Sequence, residues 1–535
     1  MKLSGMLIAA GLVAAIAFVE ALHAVRYIRL DNDGMRFALV ADQILMGRGL
    51  RKPVIAFSLR PDSLGTVPYT TQAPFLSILY AVMGGVRPGR VWPAQTLNLC
   101  VHLATSLLGF LIARRLAGDI AGAGAGICIA VSCPLLGLAG QFWSDELYIA
   151  FALATIYLLQ AAKGKNGWIL RVGSGASAAC AFATRFIGAT LVPLFLWDGF
   201  LLWRRSGWRT AARMIVMTVA LPLCVIGVLF TRNYLITGTI RGDLLPHTGR
   251  TWSETLRCII EMNNEQFDIS VPGVRITLAF LLLILPGTAL LCSLRGRREI
   301  ARLFACGLDM VLISAVCYAG ELAHALRDTQ PSYEVRFVAP LVPLIWIVAI
   351  AMITRGWGVL MRRGWRNVAY AGIILSMVLI IAGETERSWR LLPHHAPSGD
   401  YGFESGACQW VVAHNRKGSL VVTNTPCMLS FFSGIHAVGL PLKHPWLSWQ
   451  KIPDGMERVL PEKMKEVGAE YLLLLRAIDG LPREEWSGVE NGLPEDIWGR
   501  FISDLSRPLA AEKGKGSFVK VYECPEGVVY RMTER

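Results

Sequence analysis

LDNDGMRFALVADQILMGRGL, at residues 30–50, is the stretch that decides the fold. It follows an apolar run over residues 1–22 that is interrupted near its end by Glu20, and it begins with Asp31 and Asp33. The two aspartates stand where the chain leaves the apolar run, and since carboxylates are easily hydrated at a membrane surface, their presence alone assigns them no role. No clear small-residue cleavage site precedes them, and many apolar runs follow. The first run is therefore predicted to be a transmembrane helix rather than a signal peptide.

The composition indicates an integral membrane protein. Of the 535 residues, 53% are hydrophobic and only 17% are charged, whereas ordinary soluble domains carry about 25% charged residues. A net charge of +14 would suggest nucleic-acid binding in a soluble chain. Here the basic residues lie in short loops between apolar runs, so membrane lipids are expected as partners and nucleic acid is not.

About eleven apolar runs approach the length of roughly 20 residues that a helix needs to cross a bilayer. After the first, they lie at residues 92–112, 120–139, 147–162, 172–183, 187–203, 215–230, 276–294, 303–322, 337–353 and 368–382. The run at 172–183 is the shortest, and we expect it to tilt or to extend into residues 184–188. The sequence therefore predicts a polytopic α-helical membrane module over residues 1–383.

The distribution of basic residues predicts the orientation of this module. With a cytoplasmic N-terminus, the short outward turns carry only Arg185, Arg327 and Arg336. The cytoplasmic loops then carry far more basic residues, as the positive-inside rule requires; among them are Arg114, Arg115, Lys163, Lys165, Arg204, Arg205, Arg295, Arg297, Arg355 and Arg362. An odd number of spans places the C-terminus outside, and the long loops at residues 23–90 and 231–275 also face outward.

Residues 384–535 are predicted to form a soluble extracytoplasmic α/β domain. Strands are expected at residues 419–424, 437–440, 469–475, 518–523 and 528–532, with helices at 408–414, 462–467 and 484–505. Alternating strands and helices of this kind are typical of a small α/β domain. The segment has no Gly-rich phosphate loop and no nucleophile elbow, so we expect a lid, an acceptor platform or a scaffold.

The cysteines do not predict a structural metal site. No CxxC pair or His-rich cluster occurs, and most cysteines fall inside apolar runs, where they act as small hydrophobic residues. Four cysteines fall in the parts predicted to be exported, and the sequence allows one disulfide among them without choosing the pair: Cys258, Cys408, Cys427 and Cys524.

Polar residues suited to catalysis or ligand binding concentrate on the predicted outer side. Asp31 and Asp33 either cap the amphipathic helix that ends at residues 47–49 or act chemically, and the two roles are compatible because a helix N-terminus favours an ionised carboxylate. Asp145 and Glu146 likewise either start a helix or orient a ligand.

Three outer arginines, Arg185, Arg232 and Arg336, each lie at the boundary of an apolar run. Any one of them is explained by snorkelling of its head group to the membrane surface. Together they are candidates for an anion site that holds a lipid phosphate.

Several short segments resemble the polytopic GT-C glycosyltransferases, nearest to the protein mannosyltransferase and lipid A aminoarabinose transferase type. They are NDG at residues 32–34, GRGL at 47–50, PFLSILY at 74–80, SDELY at 144–148, TRF at 184–186, RNY at 232–234 and RFVAPLVPL at 336–344. In that family a second carboxylate often follows the residue matched to Asp33, where this chain has Gly34. The resemblance therefore implies no definite cofactor and leaves a divalent metal open.

The resemblance implies transfer of a sugar from a polyprenyl-phosphate donor to a glycolipid, polysaccharide or protein acceptor, outside the bacterial inner membrane. A phosphate leaving group needs cations but no general acid, and the acceptor hydroxyl needs one base. Asp33 is then the base of an inverting displacement, with Asp31 beside it. Asp145 or Glu146 would orient the acceptor or an arginine, and the phosphate would be held by Arg185, Arg232 and Arg336, with Lys52 or Arg51 as loop donors.

Two other classes of function remain open. A transporter or flippase for a polar or lipid-linked substrate would show ionisable residues near span centres or interrupted helices in repeated halves. The candidates are Asp309, Glu321 and His324, although Asp309 is also explained by a hydrogen bond to a neighbouring helix. A non-catalytic assembly protein would tolerate replacement of Asp33.

Overall fold

The computed structural model describes residues 3–26, 32–56, 66–70, 72–163, 167–240, 251, 253, 294–328, 335–361, 366–391, 405–415, 419–423, 426–439, 456–475, 518–524 and 527–532. The chain forms two compact units. The helical unit comprises Met1–Ile28, Thr70–Phe75 and Gln95–Ala396, and the sheet unit comprises Arg29–Tyr69, Leu76–Ala94 and Pro397–Arg535.

The described helices are numbered here in chain order. They are α1 Leu3–Arg26, α2 Asn32–Leu45, α3 Phe75–Val82, α4 Trp92–Ala117, α5 Asp119–Ala130, α6 Cys133–Ala139, α7 Asp145–Ala162, α8 Trp168–Thr184, α9 Val192–Ser206, α10 Trp208–Thr237, α11 Leu294–Cys306, α12 Leu308–Asp328, α13 Leu341–Met361, α14 Arg366–Leu391, α15 Gly406–His414, α16 Pro426–Ser433 and α17 Met456–Val467. Short 3-10 helices lie at Phe186–Leu191 and Val335–Phe337.

Six of the helices in the described ranges are long and apolar enough to cross a membrane: Gly5–Arg26, Trp92–Ala117, Asp145–Ala162, Phe186–Ser206, Trp208–Thr237 and Leu341–Met361. The number rises to 8 if each of two bent helix pairs is one span; α5 and α6 meet at 55°, and Arg295–Cys306 and Leu308–His324 meet at 73°. A multi-pass membrane protein is therefore confirmed, while the number of eleven spans stays a prediction, because only the described residues enter this count. Nearly all of the predicted run at 276–294 lies outside the described residues.

The short run predicted at 172–183 belongs to α8, which is only 17 residues long and begins with a charged turn. Arg171, in that turn, is buried, and its Nε donates to Oδ2 of Asp198 on α9 at 2.7 Å. An arginine is tolerated inside a helical bundle when a carboxylate neutralises it. The helix therefore starts before the apolar run that the sequence shows.

Asp309 is also held by hydrogen bonds between helices, as one of the two sequence interpretations expected. Lys163 at the end of α7 donates to its Oδ1 at 2.7 Å, and the Trp197 indole N–H of α9 donates to its Oδ2 at 2.6 Å. These contacts tie α12 to α7 and α9, so the carboxylate has a structural role.

Helix α10 extends past the predicted end of its apolar run and changes the position of Arg232. The sequence predicts an outward loop from residue 231, but α10 continues to Thr237 and ends at Gly238, which has φ 74°. Residues 231–237 contain no proline or glycine, so the helix continues as far as Gly238. Arg232 consequently lies within the last turns of a helix.

The sheet unit contains a mixed six-stranded sheet. Its strands are β2 Val54–Ala56, β4 Leu420–Thr423, β5 Ala437–Gly439, β6 Ala469–Leu475, β7 Phe518–Cys524 and β8 Gly527–Met532, in the order β2-β5-β4-β6-β8-β7. The first four strands in that order are parallel, and β8 and β7 continue antiparallel. A separate small ladder pairs β1 Arg51–Lys52 with β3 Val67–Pro68. The strands predicted after residue 418 are confirmed, and the helix predicted at 484–505 lies outside the described residues.

The edge strand β2 comes from the long loop after α1. Residues 23–90 were predicted as a loop of the transmembrane module, and in the structure most of this loop belongs to the sheet unit. Val54, Ile55 and Ala56 pair in parallel register with residues 437–439 of β5. An exposed edge strand accepts a short partner through backbone hydrogen bonds, which explains the difference. In the same unit α2 packs against α16.

Candidate functional site

Asp145 and Arg185 form an ion pair in the helical unit. Asp145 is the first residue of α7 and is buried, and its Oδ2 lies 2.5 Å from Nη1 of Arg185. A carboxylate is favoured in the first turn of a helix because the backbone N–H groups there are unpaired. Arg185 has extended backbone between α8 and the 3-10 helix at 186–191, which presents its side chain beside that turn. The pair leaves the guanidinium 21% exposed.

Arg336 contacts two aromatic rings, one of which also contacts Arg185. Its guanidinium carbon is 4.6 Å from the centroid of the Trp143 ring and 5.1 Å from that of Phe337. The guanidinium carbon of Arg185 is 5.9 Å from the same Phe337 ring. Cations over ring faces are stabilised by the ring quadrupole. We call Trp143, Asp145, Arg185, Arg336 and Phe337 the arginine cluster.

Two tyrosines support this cluster. The rings of Tyr148 on α7 and Tyr318 on α12 stack with centroids 6.0 Å apart. The Tyr318 hydroxyl donates to the backbone carbonyl of Phe337 at 2.8 Å and fixes the turn that carries Arg336. Both tyrosines are buried.

Glu146 contacts a histidine that the sequence analysis did not single out. Its Oε1 lies 2.6 Å from Nδ1 of His102 on α4, and Nε2 of the same ring lies 3.0 Å from the Ala130 carbonyl. His102 and Glu146 are both buried. A single histidine in an apolar run gives no signal of such a pair, because its partners are far away in the sequence.

Arg232 lies near the chain segment that follows Arg185. Its Nη1 donates to Oδ1 of Asn233 at 3.4 Å, and Asn233 donates in turn to the carbonyl of Thr70 at 3.4 Å. The Phe230 ring on the same helix packs against Phe186, with centroids 6.2 Å apart. The end of α10 therefore packs beside the residue next to Arg185.

In the sheet unit, Asp33 is ion-paired in the first turn of α2. Its Oδ1 lies 3.3 Å from Nη1 of Arg36, one turn later. The Arg36 guanidinium also hydrogen-bonds the sulfur of Cys427. Burial alone would lower the pKa of Arg36, but the neighbouring Cys427 and Asp33 groups outweigh that effect and raise it. Asp31 lies outside the described residues.

Lys52 and Tyr69 belong to the same group as Asp33. Lys52 is buried, with 6% of its surface exposed, and its charge acts on the Cys427 thiol. Burial raises the pKa of Cys427, while the Arg36 cation lowers it. Burial also raises the pKa of Tyr69, and the Arg36 cation again opposes it. We call Asp33, Arg36, Lys52, Tyr69 and Cys427 the loop group.

Arg51 was predicted as a possible loop donor to the phosphate. Nε of Arg51 donates to the Thr66 hydroxyl at 2.8 Å, so this arginine holds the β1–β3 ladder together.

Cys408, Cys427 and Cys524 are free thiols, and Cys258 lies outside the described residues. Within the described ranges, no group of three or more His, Cys, Asp or Glu side chains is placed to hold a metal ion.

The described candidate residues are thus divided between the two units: Asp33, Arg51 and Lys52 lie in the sheet unit, and Asp145, Glu146, Arg185, Arg232 and Arg336 lie in the helical unit. The family model described as dolichyl-phosphate-mannose-protein mannosyltransferase matches residues 71–230, a range that includes Asp145, Arg185 and His102. The fold matches ArnT from Cupriavidus metallidurans in the apo state, with a TM-score of 0.59 and 13% identity over 97% of each chain. The chain has the GT-C fold.

Two further solved structures agree with the GT-C fold. The same ArnT bound to undecaprenyl phosphate matches with a TM-score of 0.57, 13% identity and coverage of 97% of each chain. The oligosaccharyltransferase of Archaeoglobus fulgidus in complex with Zn and sulfate matches with a TM-score of 0.53 and 12% identity, covering 97% of this chain and 73% of that one. No curated protein sequence matches this chain. The predicted resemblance to GT-C enzymes is confirmed.

Proposed function

We propose that this protein is a membrane glycosyltransferase that moves a sugar from a polyprenyl-phosphate donor to a glycolipid, polysaccharide or protein acceptor. The observation that carries the proposal is the arginine cluster: the guanidinium groups of Arg185 and Arg336 share the Phe337 ring, and the Asp145 carboxylate pairs with Arg185. Such a group brings two guanidinium groups together beside aromatic rings. It suits the phosphate of a lipid better than a free sugar.

Arg185 and Arg336 are assigned to the donor phosphate. When the sugar leaves, the phosphate gains negative charge, and fixed cations stabilise that charge in the transition state. Arginine is suited to this task because its planar fork binds phosphate oxygens in pairs. Arg232 is a third candidate, and Lys52 is a loop donor. Asp145 orients Arg185, while Glu146 is assigned to His102 rather than to the acceptor.

Asp33 is assigned as the general base, with Asp31 as a second acid beside it. The acceptor hydroxyl needs one group within hydrogen-bond reach to take its proton as the new bond forms. Its position in the first turn of α2 and its ion pair with Arg36 both favour the ionised form that a base requires. A single direct displacement inverts the anomeric carbon. No step of this proposal passes through a metal ion.

The proposal includes an orientation. The N-terminus is cytoplasmic, the sheet unit and the sugar transfer are extracytoplasmic, and the membrane is a bacterial inner membrane. Cysteine-accessibility tags at residues 60 and 450 should react from outside intact cells. Labelling of either position only after the membrane is permeabilised would contradict this orientation.

A transfer assay tests the function. Membranes with wild-type protein receive a polyprenyl-phosphate donor carrying a radiolabelled sugar, and label is followed into lipid, glycan and protein fractions. Asp33→Asn should lower transfer by at least ~100-fold, the lower range for general-base catalysis. Asp42→Asn is the matched control on α2, since Asp42 pairs with the half-exposed Arg87 at 3.0 Å. Equal transfer by the Asp33→Asn variant at equal expression would remove Asp33 as the base.

The alternative function is that of a transporter or flippase, and two observations support it as a second candidate. Two helix pairs are sharply bent, and His102 pairs with Glu146 inside the helical unit. Interrupted helices and buried charges occur in transporters. A flippase would move the labelled donor across the bilayer of a liposome without changing its lipid anchor. Movement without transfer to any acceptor would therefore favour that class.

A further inference from the structure

His102 lies on α4 and is hydrogen-bonded to residues of two other helices, α5 and α7. It is fully buried on α4, and its Nδ1 lies 2.6 Å from Oε1 of Glu146, the second residue of α7. Its Nε2 lies 3.0 Å from the carbonyl oxygen of Ala130, the last residue of α5. A single imidazole therefore bridges the start of α7 and the end of α5.

The two hydrogen bonds determine the charge of the pair. A carbonyl oxygen only accepts, so Nε2 of His102 carries a hydrogen. A proton must also lie between Nδ1 and the carboxylate of Glu146, because two lone pairs at this distance would repel. The pair is then either an imidazolium with a carboxylate or an imidazole with a carboxylic acid. It is electrically neutral in both forms, so Glu146 does not compete with Asp145 for Arg185.

Both bridged points are places where the backbone needs support. The last carbonyl groups of a helix lack partners within the helix, and after Ala130 the chain bends by 55° into α6. At the other point, Glu146 is the direct neighbour of Asp145 in the first turn of α7. A contact that holds Glu146 therefore also limits the movement of Asp145.

We propose that His102 is a positioning residue for the donor-phosphate site, which clamps the start of α7 so that Asp145 holds Arg185 in place. The consequence for lipid binding rests on the proposed function; the clamp itself does not. His102 contacts no reacting atom in this scheme. Its effect passes through Glu146 and Asp145 to the arginine cluster.

Two variants separate the hydrogen bonds from the charge. His102→Leu keeps similar volume and removes both hydrogen bonds. Glu146→Gln keeps both, because its amide N–H donates to Nδ1 while Nε2 still donates to Ala130. The clamp therefore predicts that Glu146→Gln behaves like the wild type and that His102→Leu does not.

Binding of undecaprenyl phosphate to the purified full-length protein provides a double-mutant cycle. His102→Leu should weaken binding about tenfold, and Glu146→Gln by less than about twofold, at the scale of coupling between contacting residues. In an Asp145→Asn background, His102→Leu should add nothing further, because the group that it positions is already gone. Effects of His102→Leu and Asp145→Asn that multiply, or a Glu146→Gln variant as weak as His102→Leu, would overturn the proposal.

Amide hydrogen exchange tests the clamp without any lipid. His102→Leu should speed exchange at residues 145–149, and Glu146→Gln should leave it unchanged. If the wild type binds no undecaprenyl phosphate, the assigned donor site fails, and the exchange measurement alone then decides the clamp. Unchanged exchange in His102→Leu would reject it.

Discussion

Oδ2 of Asp145 lies 2.5 Å from Nη1 of Arg185, and the carboxylate is buried while the guanidinium is partly exposed. This asymmetry is what a phosphate site requires, because the cation is oriented by the protein and still reaches a ligand. Arg185→Lys keeps the charge but loses the planar fork. We expect it to weaken binding of undecaprenyl phosphate at least ~tenfold, at the scale of a charge-assisted hydrogen bond. Arg204→Lys on α9 is the matched control, and equal losses in both variants would contradict the assignment.

The buried pair between Arg171 and Asp198 predicts a stability effect away from the site. Arg171→Leu leaves the Asp198 carboxylate buried without its cation, and we expect a loss of ~3–5 kcal/mol in the free energy of unfolding. The double variant Arg171→Leu, Asp198→Leu should recover most of it, because neither charge then remains. Thermal unfolding in detergent measures both. A double variant that is less stable than the single one would argue against this reason.

Two glycines of α8 provide a test of helix packing. A Cβ at Gly175 would collide with the carbonyl oxygen of Thr218 on α10, whereas a Cβ at Gly173 would meet only Leu158 Cδ1 at 3.6 Å. Gly175→Ala should therefore destabilise the protein by ~1–3 kcal/mol, the usual range for overpacking. Gly173→Ala should not destabilise it. Thermal unfolding of the two variants side by side makes the comparison, and equal midpoints would contradict the close helix approach.

The buried thiol of Cys408 predicts a pH dependence. Burial raises the pKa of Cys408 to about 12, and the thiolate is the form that reacts with a maleimide. Labelling of the folded protein at pH 8 should be slow and should rise with pH until the pKa is approached. Labelling after unfolding at pH 8 should be fast, because the pKa returns to the ordinary value of about 8.5. Mass spectrometry of the Cys408 peptide reports both rates; fast labelling of the folded protein at pH 8 would contradict the burial.

The sequence singled out Arg185 and Arg336 because they oppose a clear trend. Both are basic residues on the side that is predicted to be the outer one, where the positive-inside rule leaves few charges. Asp145 was a candidate because it starts a helix, but the rings of Trp143 and Phe337 gave no signal. His102 was missed because a lone histidine in an apolar run carries no signal until its partners on other helices are known. Contacts between distant parts of the chain decide such roles.

The strands of the sheet also differ in whether the sequence alone predicts them. Residues 469–475 (AEYLLLL) are apolar except for Glu470, and their strand was predicted with the bounds that the structure has. The strand Val54–Ala56 is only three residues long, and its partner at 437–439 lies near the other end of the chain. Hydropathy alone also does not show that helices bend, as α5 and α6 do at 55°.

The central claim is that the arginine cluster holds the phosphate of a lipid donor, and equilibrium binding of undecaprenyl phosphate tests it most directly. Wild type, Arg336→Gln and Arg204→Gln would be compared in the same detergent, with thermal unfolding as a check on folding. The account predicts a loss of at least ~tenfold in affinity for Arg336→Gln and no loss for Arg204→Gln. Equal affinity of all three proteins would contradict it.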